Sequence, residues 1–123
     1  MGQYKTKKVR NEDEIVGINV YNSSSNTPLY LIALTDKEIN KPVYEYTQRT
    51  DGLKLSGPIG SINYSGRTLN LMDMFGTELG SITIVGRDEI KLEDFLNGNH
   101  SIETSKGLVT SDIFEFLKKE SSS

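Results

Sequence analysis

Short hydrophobic segments separated by glycine-containing turns fill residues 14–92, and this spacing restricts the fold more than any other feature of the sequence. Within residues 15–21, Val16, Ile18 and Val20 fall on one face, which predicts a half-buried β-strand. Residues 29–34 are apolar on both faces, which predicts a central strand covered on both sides. The glycine turns are too short for helical crossovers, so neighbouring strands must pair in the antiparallel direction.

A spacing of twenty residues recurs in the second half of the chain. Ser-Ile stands at 61–62 and 81–82, and Gly-Arg follows at 66–67 and 86–87, whereas the block that begins at Ser101 keeps the pattern only loosely. Either a true structural repeat or a β-meander with hairpins of equal length explains this spacing. A solenoid needs at least three similar units, and the third block is eroded, so the pattern favours the meander.

The dipeptide Asp51-Gly52 marks a hairpin, because it supplies the positive φ angles of a tight turn. The alternation before this turn places Tyr44 and Tyr46 on one face of a strand. Tyrosine is enriched at recognition surfaces, so these two rings, with Tyr30 and Tyr64, are candidates for an exposed aromatic patch. The alternative is that the rings pack in the core with their hydroxyl groups at its rim.

The chain ends in a segment with helical period. Ser111 fits the N-cap position, and Ile113, Phe116 and Leu117 follow at the spacing of one helix face. These residues predict an amphipathic helix at about residues 111–119, which is too short to be stable alone and must dock on the sheet. The predicted organisation is a flexible charged leader at residues 1–13, one β-rich domain at 14–120 and a disordered tail at 121–123.

The predicted fold is mainly β: an antiparallel β-meander, or a small barrel or sandwich, of about seven or eight short strands with a short C-terminal amphipathic helix. This layout resembles the pleckstrin-homology architecture. The stretch LNLMDMFGTELGSITI at residues 69–84 also resembles the strand, Asp-x-x-Gly turn, strand arrangement of tubby-like β-meander domains. Neither resemblance covers a functional motif, so both imply a fold and no activity.

The composition removes several classes of function. The net charge of −3, from 14 Lys plus Arg and 17 Asp plus Glu, is unfavourable for a general nucleic-acid binder, which needs excess cations to displace counterions from phosphates. The chain has no Cys, which excludes disulfides, thiolate metal sites and cysteine nucleophiles, and His100 is its single His. Nucleophile-elbow, dinucleotide-binding and P-loop motifs are absent from the sequence. We therefore expect no catalysis, no metal and no cofactor.

The first functional hypothesis is a non-catalytic binding protein, such as an adaptor, an inhibitor or an immunity-type partner. It would recognise another protein through an exposed sheet edge or a Tyr-rich face, with Tyr44, Tyr46, Arg67 and Arg87 as candidate binding residues. Residues 88–120 contain eight acidic and four basic residues, which favours a partner with a basic surface, and an unpaired edge strand would allow a homodimer. We expect a cytoplasmic protein, because the sequence shows no signal peptide or apolar membrane span.

Two alternatives use other residues. Met1, Gly2 and Thr6 match the N-myristoylation pattern, and the basic side chains within residues 5–10 would supply a second membrane anchor. Acylation of Gly2 would make the chain a peripheral membrane protein, and without it we expect no membrane binding. In the other alternative, Arg67 and Arg87 in the two Gly-Arg turns project from one sheet edge and bind a small anion or nucleotide.

Overall fold

In a computed structural model, which describes residues 4–34, 40–65, 67–83, 101–104, 107–110 and 113–121, the chain forms nine β-strands and one helix. The strands are β1 (Tyr4–Asn11), β2 (Glu14–Asn22), β3 (Pro28–Ala33), β4 (Asn40–Arg49), β5 (Gly52–Tyr64), β6 (Thr68–Met72), β7 (Glu78–Thr83), β8 (Ser101–Thr104) and β9 (Gly107–Thr110), and the helix is α1 (Ile113–Ser121). Each strand pairs antiparallel with the next one along the chain in a single sheet. This arrangement confirms the predicted antiparallel meander with a short C-terminal helix.

The β4–β5 hairpin turns at the predicted dipeptide. Arg49 pairs with Gly52, whose φ of 121° is a backbone conformation that favours glycine. Strand β5 is 13 residues long, because its pairing with β4 continues past Gly57 and reaches the pair Asn40 and Asn63. The register of this pairing shifts between Val43 and Glu45, which accommodates the extra residues of β5 between Ser56 and Gly60.

The core lies between α1 and one face of the sheet, which we call the inner face. Its buried side chains are Ile18, Val20, Tyr30, Ile32, Val43, Ile59, Ile62, Leu69, Leu71, Ile82, Ile113, Phe114 and Leu117. Phe114 stacks on Tyr30 with ring centroids 4.5 Å apart and meets Tyr4 edge to face at 5.2 Å. The helix therefore docks on the sheet, as predicted, and does so through the ring of Phe114.

The close approach of α1 to the sheet depends on a residue without a side chain. A Cβ atom at Gly60 would lie 2.6 Å from the carbonyl oxygen of Met72 and 2.9 Å from Cδ2 of Leu117. Both distances are shorter than van der Waals contact, so only glycine leaves room for Leu117 against β5.

Residues 4–11 differ from their predicted role as part of a flexible charged leader. They form β1, which pairs with β2 from Tyr4 opposite Asn22 to Asn11 opposite Glu14. An edge strand needs only one paired edge and one covered face, so it tolerates lysines on its solvated sides. At the other end of the chain, Ser121 is the last residue of α1, whereas 122–123 and the predicted N-cap Ser111 lie outside the described residues.

Strand β3 is fully buried on one face only, which corrects the prediction of a strand covered on both sides. Tyr30 and Ile32 are buried on the inner face, while Leu29, Leu31 and Ala33 are half-buried. The reason is that α1 covers only the inner face of the sheet. The described residues contain nine strands, of which β1 is the one in addition to the predicted seven or eight.

Candidate functional site

The sheet face opposite α1, which we call the outer face, carries polar and aromatic side chains. Asn19 pairs with Leu31, and Leu31 pairs with Tyr44, in alternation with the buried pairs of the inner face. Directly opposed residues of an antiparallel sheet point to the same side. Asn19, Leu31 and Tyr44 therefore lie together on the outer face, and each is only half-buried.

Two further tyrosines lie on this face. The hydroxyl group of Tyr46 donates a hydrogen bond to Oδ1 of Asn19 at 2.7 Å, and burial together with the neighbouring Tyr21 raises the pKa of Tyr46. The ammonium group of Lys7 lies 5.3 Å from the ring centroid of Tyr21, within range of a cation–π interaction. These contacts fix the orientation of Tyr46 and Tyr21 on the sheet.

A groove opens where the outer face meets the β6–β7 loop, and we call it the outer groove. Its volume is about 790 Å³. Its apolar wall is formed by Val16, Leu34, Pro42, Tyr44, Pro58 and Met74. Its charged lining residues among those that the structure describes are Glu14 and Asp73, both acidic. An apolar depression with a few charged groups at its border is the usual form of a binding site.

The β6–β7 loop, residues 73–77, is held in one conformation by Asp73. Oδ1 of this residue accepts hydrogen bonds from the backbone N–H groups of Phe75 at 2.9 Å and Thr77 at 2.8 Å. Gly76 has a φ of 86°, and its N–H donates to the carbonyl oxygen of Asp73 at 3.1 Å. The loop is therefore a preformed wall of the groove, with Met74 45% exposed and Phe75 86% exposed.

Asn40 contributes a polar atom to the groove wall. Its Oδ1 is buried and has no hydrogen-bond partner among the residues that the structure describes. A buried acceptor without a donor costs about 1–3 kcal/mol, so such atoms are rare in folded proteins.

A second polar cluster joins α1 to the sheet. Tyr30 donates a hydrogen bond to Oε1 of Glu115 at 3.3 Å, and Nζ of Lys118 lies 2.9 Å from Oε2 of Glu45. Burial first, and then the nearby Glu115 and Glu45 carboxylates, raise the pKa of Tyr30 far above its ordinary value, while the hydrogen bond to Glu45 raises the pKa of Lys118. The Tyr30–Glu115 hydrogen bond and the Lys118–Glu45 ion pair therefore tie α1 to β3 and β4.

The predicted aromatic patch is only partly correct. Tyr44 and Tyr46 lie together on the outer face, as predicted from their spacing. Tyr30 is buried beneath α1 and Tyr64 packs against the core, so neither belongs to the patch. Alternation within one strand cannot show which face a helix will cover, and Tyr21 is the ring that the sequence reasoning missed.

The other predicted site residues are not brought together by the described part of the chain. Arg67 is exposed directly before β6 and does not line the outer groove. Arg87 and Gly2 lie outside the described residues, as does His100. Several groove residues have no sequence signal of their own, namely Glu14, Pro42, Pro58 and Met74. The Asp73-x-x-Gly76 segment, in contrast, could be predicted from the sequence as a turn.

Comparison with known proteins gives no further information on function. No protein-family model, curated protein or solved structure matches the chain. Across the described ranges, no three His, Asp or Glu side chains are grouped closely enough to hold a metal ion. None of the described helical residues forms a span long and apolar enough to cross a membrane.

Proposed function

We propose that this chain is a non-catalytic recognition domain that binds a segment of another protein in the outer groove. The observation that carries the proposal is the preformed groove of about 790 Å³ between β4, β5 and the β6–β7 loop. Tyr44 and Met74, which border it, are residue types enriched at protein interfaces. The β6–β7 loop and the proline rings are already rigid. Little conformational entropy of the site would therefore be lost when a partner binds.

The outer face supports this role better than the β1 edge of the sheet does. In the described structure β1 pairs with β2 alone, so its other edge is open. Its segment contains Lys5, Lys7, Lys8 and Arg10 and no acidic residue. Lysines on an edge strand oppose pairing with another strand, and two copies of β1 would place like charges opposite each other. We therefore assign recognition to the outer groove instead of to this edge.

The basic residues of β1 also offer little support for a membrane anchor. Lys7 pairs with Asn19 on the outer face, whereas Lys8 pairs with Ile18, whose side chain lies on the inner face. A polybasic anchor is effective when its charges face one anionic surface. The strand directs these lysines to opposite sides of the sheet.

Peptide selection tests the proposal directly. A phage-displayed library of random peptides is panned on the immobilised domain, and enriched sequences are synthesised and titrated by fluorescence anisotropy. Tyr44→Ala removes the aromatic wall of the groove, and Tyr21→Ala is the matched control, because Tyr21 is on the same face but does not line the groove. We expect Tyr44→Ala to weaken binding by about tenfold or more and Tyr21→Ala by less than about twofold.

Two outcomes would contradict the proposal. The first is that no enriched peptide binds the domain in solution. The second is that Tyr44→Ala and Tyr21→Ala bind the enriched peptides equally well, while circular dichroism shows that both variants are folded.

A further inference from the structure

The charges around the outer groove indicate which peptide fits it. Glu14 and Asp73 line the groove, and Glu12 and Asp13 immediately precede Glu14 in the exposed turn between β1 and β2. The nearest cation along this hairpin is Arg10, which pairs with Ile15, so the three successive acidic residues have no cation opposite them in the hairpin. One end of the groove is therefore acidic, and a ligand with positive charge at that end is favoured.

The apolar part of the groove lies beside this acidic end. Pro42 and Tyr44 come from β4, Pro58 comes from β5, and Met74 closes the groove from the β6–β7 loop. Apolar side chains of a ligand would lose water against these surfaces, which is the main favourable contribution to association. The ligand therefore combines apolar side chains with a cationic one.

Asn40 suggests that the ligand also brings a hydrogen-bond donor. Its buried Oδ1 lacks a hydrogen-bond partner among the described residues, and Asn40 is one of the residues that line the groove. A peptide supplies a backbone N–H at every residue except proline. A peptide is thus the ligand class that satisfies the apolar wall, the carboxylates and the acceptor together.

We infer that the outer groove binds an extended basic and apolar peptide, with aliphatic or aromatic side chains against Tyr44 and Met74 and Lys or Arg at the Glu12–Glu14 end. This inference rests on the proposed function and specifies its partner. A second copy of the chain is a poorer occupant, because each groove would bring its own carboxylates to the contact.

The test uses the peptides that the selection enriches in a Tyr44-dependent manner. Each is synthesised in its selected form and with every Lys and Arg replaced by Gln. The domain is tested as wild type, as Glu14→Lys and as Asp51→Lys. Asp51 is the matched control, because its substitution changes the net charge equally but lies in the exposed β4–β5 turn, outside the groove.

We expect the enriched sequences to be rich in Lys or Arg. Replacement of these residues by Gln should weaken binding by about tenfold. Glu14→Lys should have a similar effect at about 0.05 M salt and a smaller one at about 0.5 M, since exposed charges are screened. Asp51→Lys should stay within about twofold of wild type under both conditions.

Two results would overturn the inference: enriched peptides that are neutral or acidic, or equal binding of the peptides by Glu14→Lys and Asp51→Lys. In both cases the Tyr44 dependence would still support the groove as the binding site. Loss of the Tyr44 dependence itself would instead overturn the proposed function and this inference with it. Light scattering of the wild type provides a third outcome: a dimer that Tyr44→Ala dissociates would show that a second copy occupies the groove and would refute the basic peptide.

Discussion

Phe114 and Phe75 illustrate the contrast between the inner face of the sheet and the rim of the outer groove. Phe114 of α1 is fully buried against the inner face and packs on two tyrosine rings, whereas Phe75 is 86% exposed at the tip of the β6–β7 loop. The inner face uses its apolar residues to hold the fold together. In the β6–β7 loop, hydrogen bonds that Asp73 accepts hold Met74 and Phe75 in contact with water, where they contribute little to folding.

The largest expected effect compares these two phenylalanines. Phe114→Ala should reduce the free energy of unfolding by about 3–5 kcal/mol, because it leaves a cavity beneath the helix. Phe75→Ala should change it by less than about 0.5 kcal/mol, because the ring is already in water. Urea denaturation of both variants measures the difference. Similar losses for the two variants would show that the loop packs against the protein more closely than the structure indicates.

A smaller effect is expected where α1 approaches the sheet. Gly60→Ala should destabilise the protein by about 1–3 kcal/mol, since the new methyl group would collide with the backbone of Met72 and with Leu117. Ser61→Ala is the control, because Ser61 is the next residue of β5 and is only half-buried. Thermal unfolding followed by circular dichroism compares the two variants. A Gly60→Ala protein as stable as wild type would mean that the helix can shift outward without cost.

The loss of stability at alkaline pH should depend more on a tyrosine of the inner face than on one of the outer face. Tyr30 has a raised pKa in the folded protein, so the folded state holds its proton more tightly than the unfolded state. Its contribution to stability is complete below the unfolded pKa of about 10 and is lost as the pH rises above that value, at about 1.4 kcal/mol per pH unit. Tyr30→Phe should flatten this alkaline decline.

Tyr46→Phe on the outer face is the matched variant for this measurement. The pKa of Tyr46 is also raised, but the side chain is half-buried and solvent reduces the effect. Urea midpoints between about pH 9 and pH 11 should therefore depend less on Tyr46→Phe than on Tyr30→Phe. A larger effect of Tyr46→Phe than of Tyr30→Phe would contradict this expectation, because it would mean that the phenol of the outer face is the more buried one.

Local sequence patterns were sufficient for the hairpins and the helix. The Asp51-Gly52 turn, the placement of Tyr44 with Tyr46 and the amphipathic segment that begins near Ile113 follow from periodicity and turn chemistry. Residues 4–11 were misassigned, because a strand with four cations shows little apolar alternation. Its pairing with β2 depends on a neighbouring strand, which local patterns do not include.

The groove could not be predicted in the same way. The groove is lined by residues from distant parts of the chain, such as Glu14, Tyr44, Pro58 and Met74. Only the pairing order of the strands in the sheet brings them to one place. The buried position of Tyr30 has a similar origin, since Phe114 covers it from 84 residues further along the chain.

The sequence by itself determined an antiparallel sheet, its tight turns and an amphipathic C-terminal helix, because each depends on side chains a few residues apart. The tertiary structure decided which face of that sheet α1 covers, and therefore which tyrosines are structural and which border the outer groove. That choice depends on the fit of Phe114 and Leu117 against Tyr30 and Gly60. Such a fit is a property of packed surfaces in three dimensions, which periodicity along one chain does not contain.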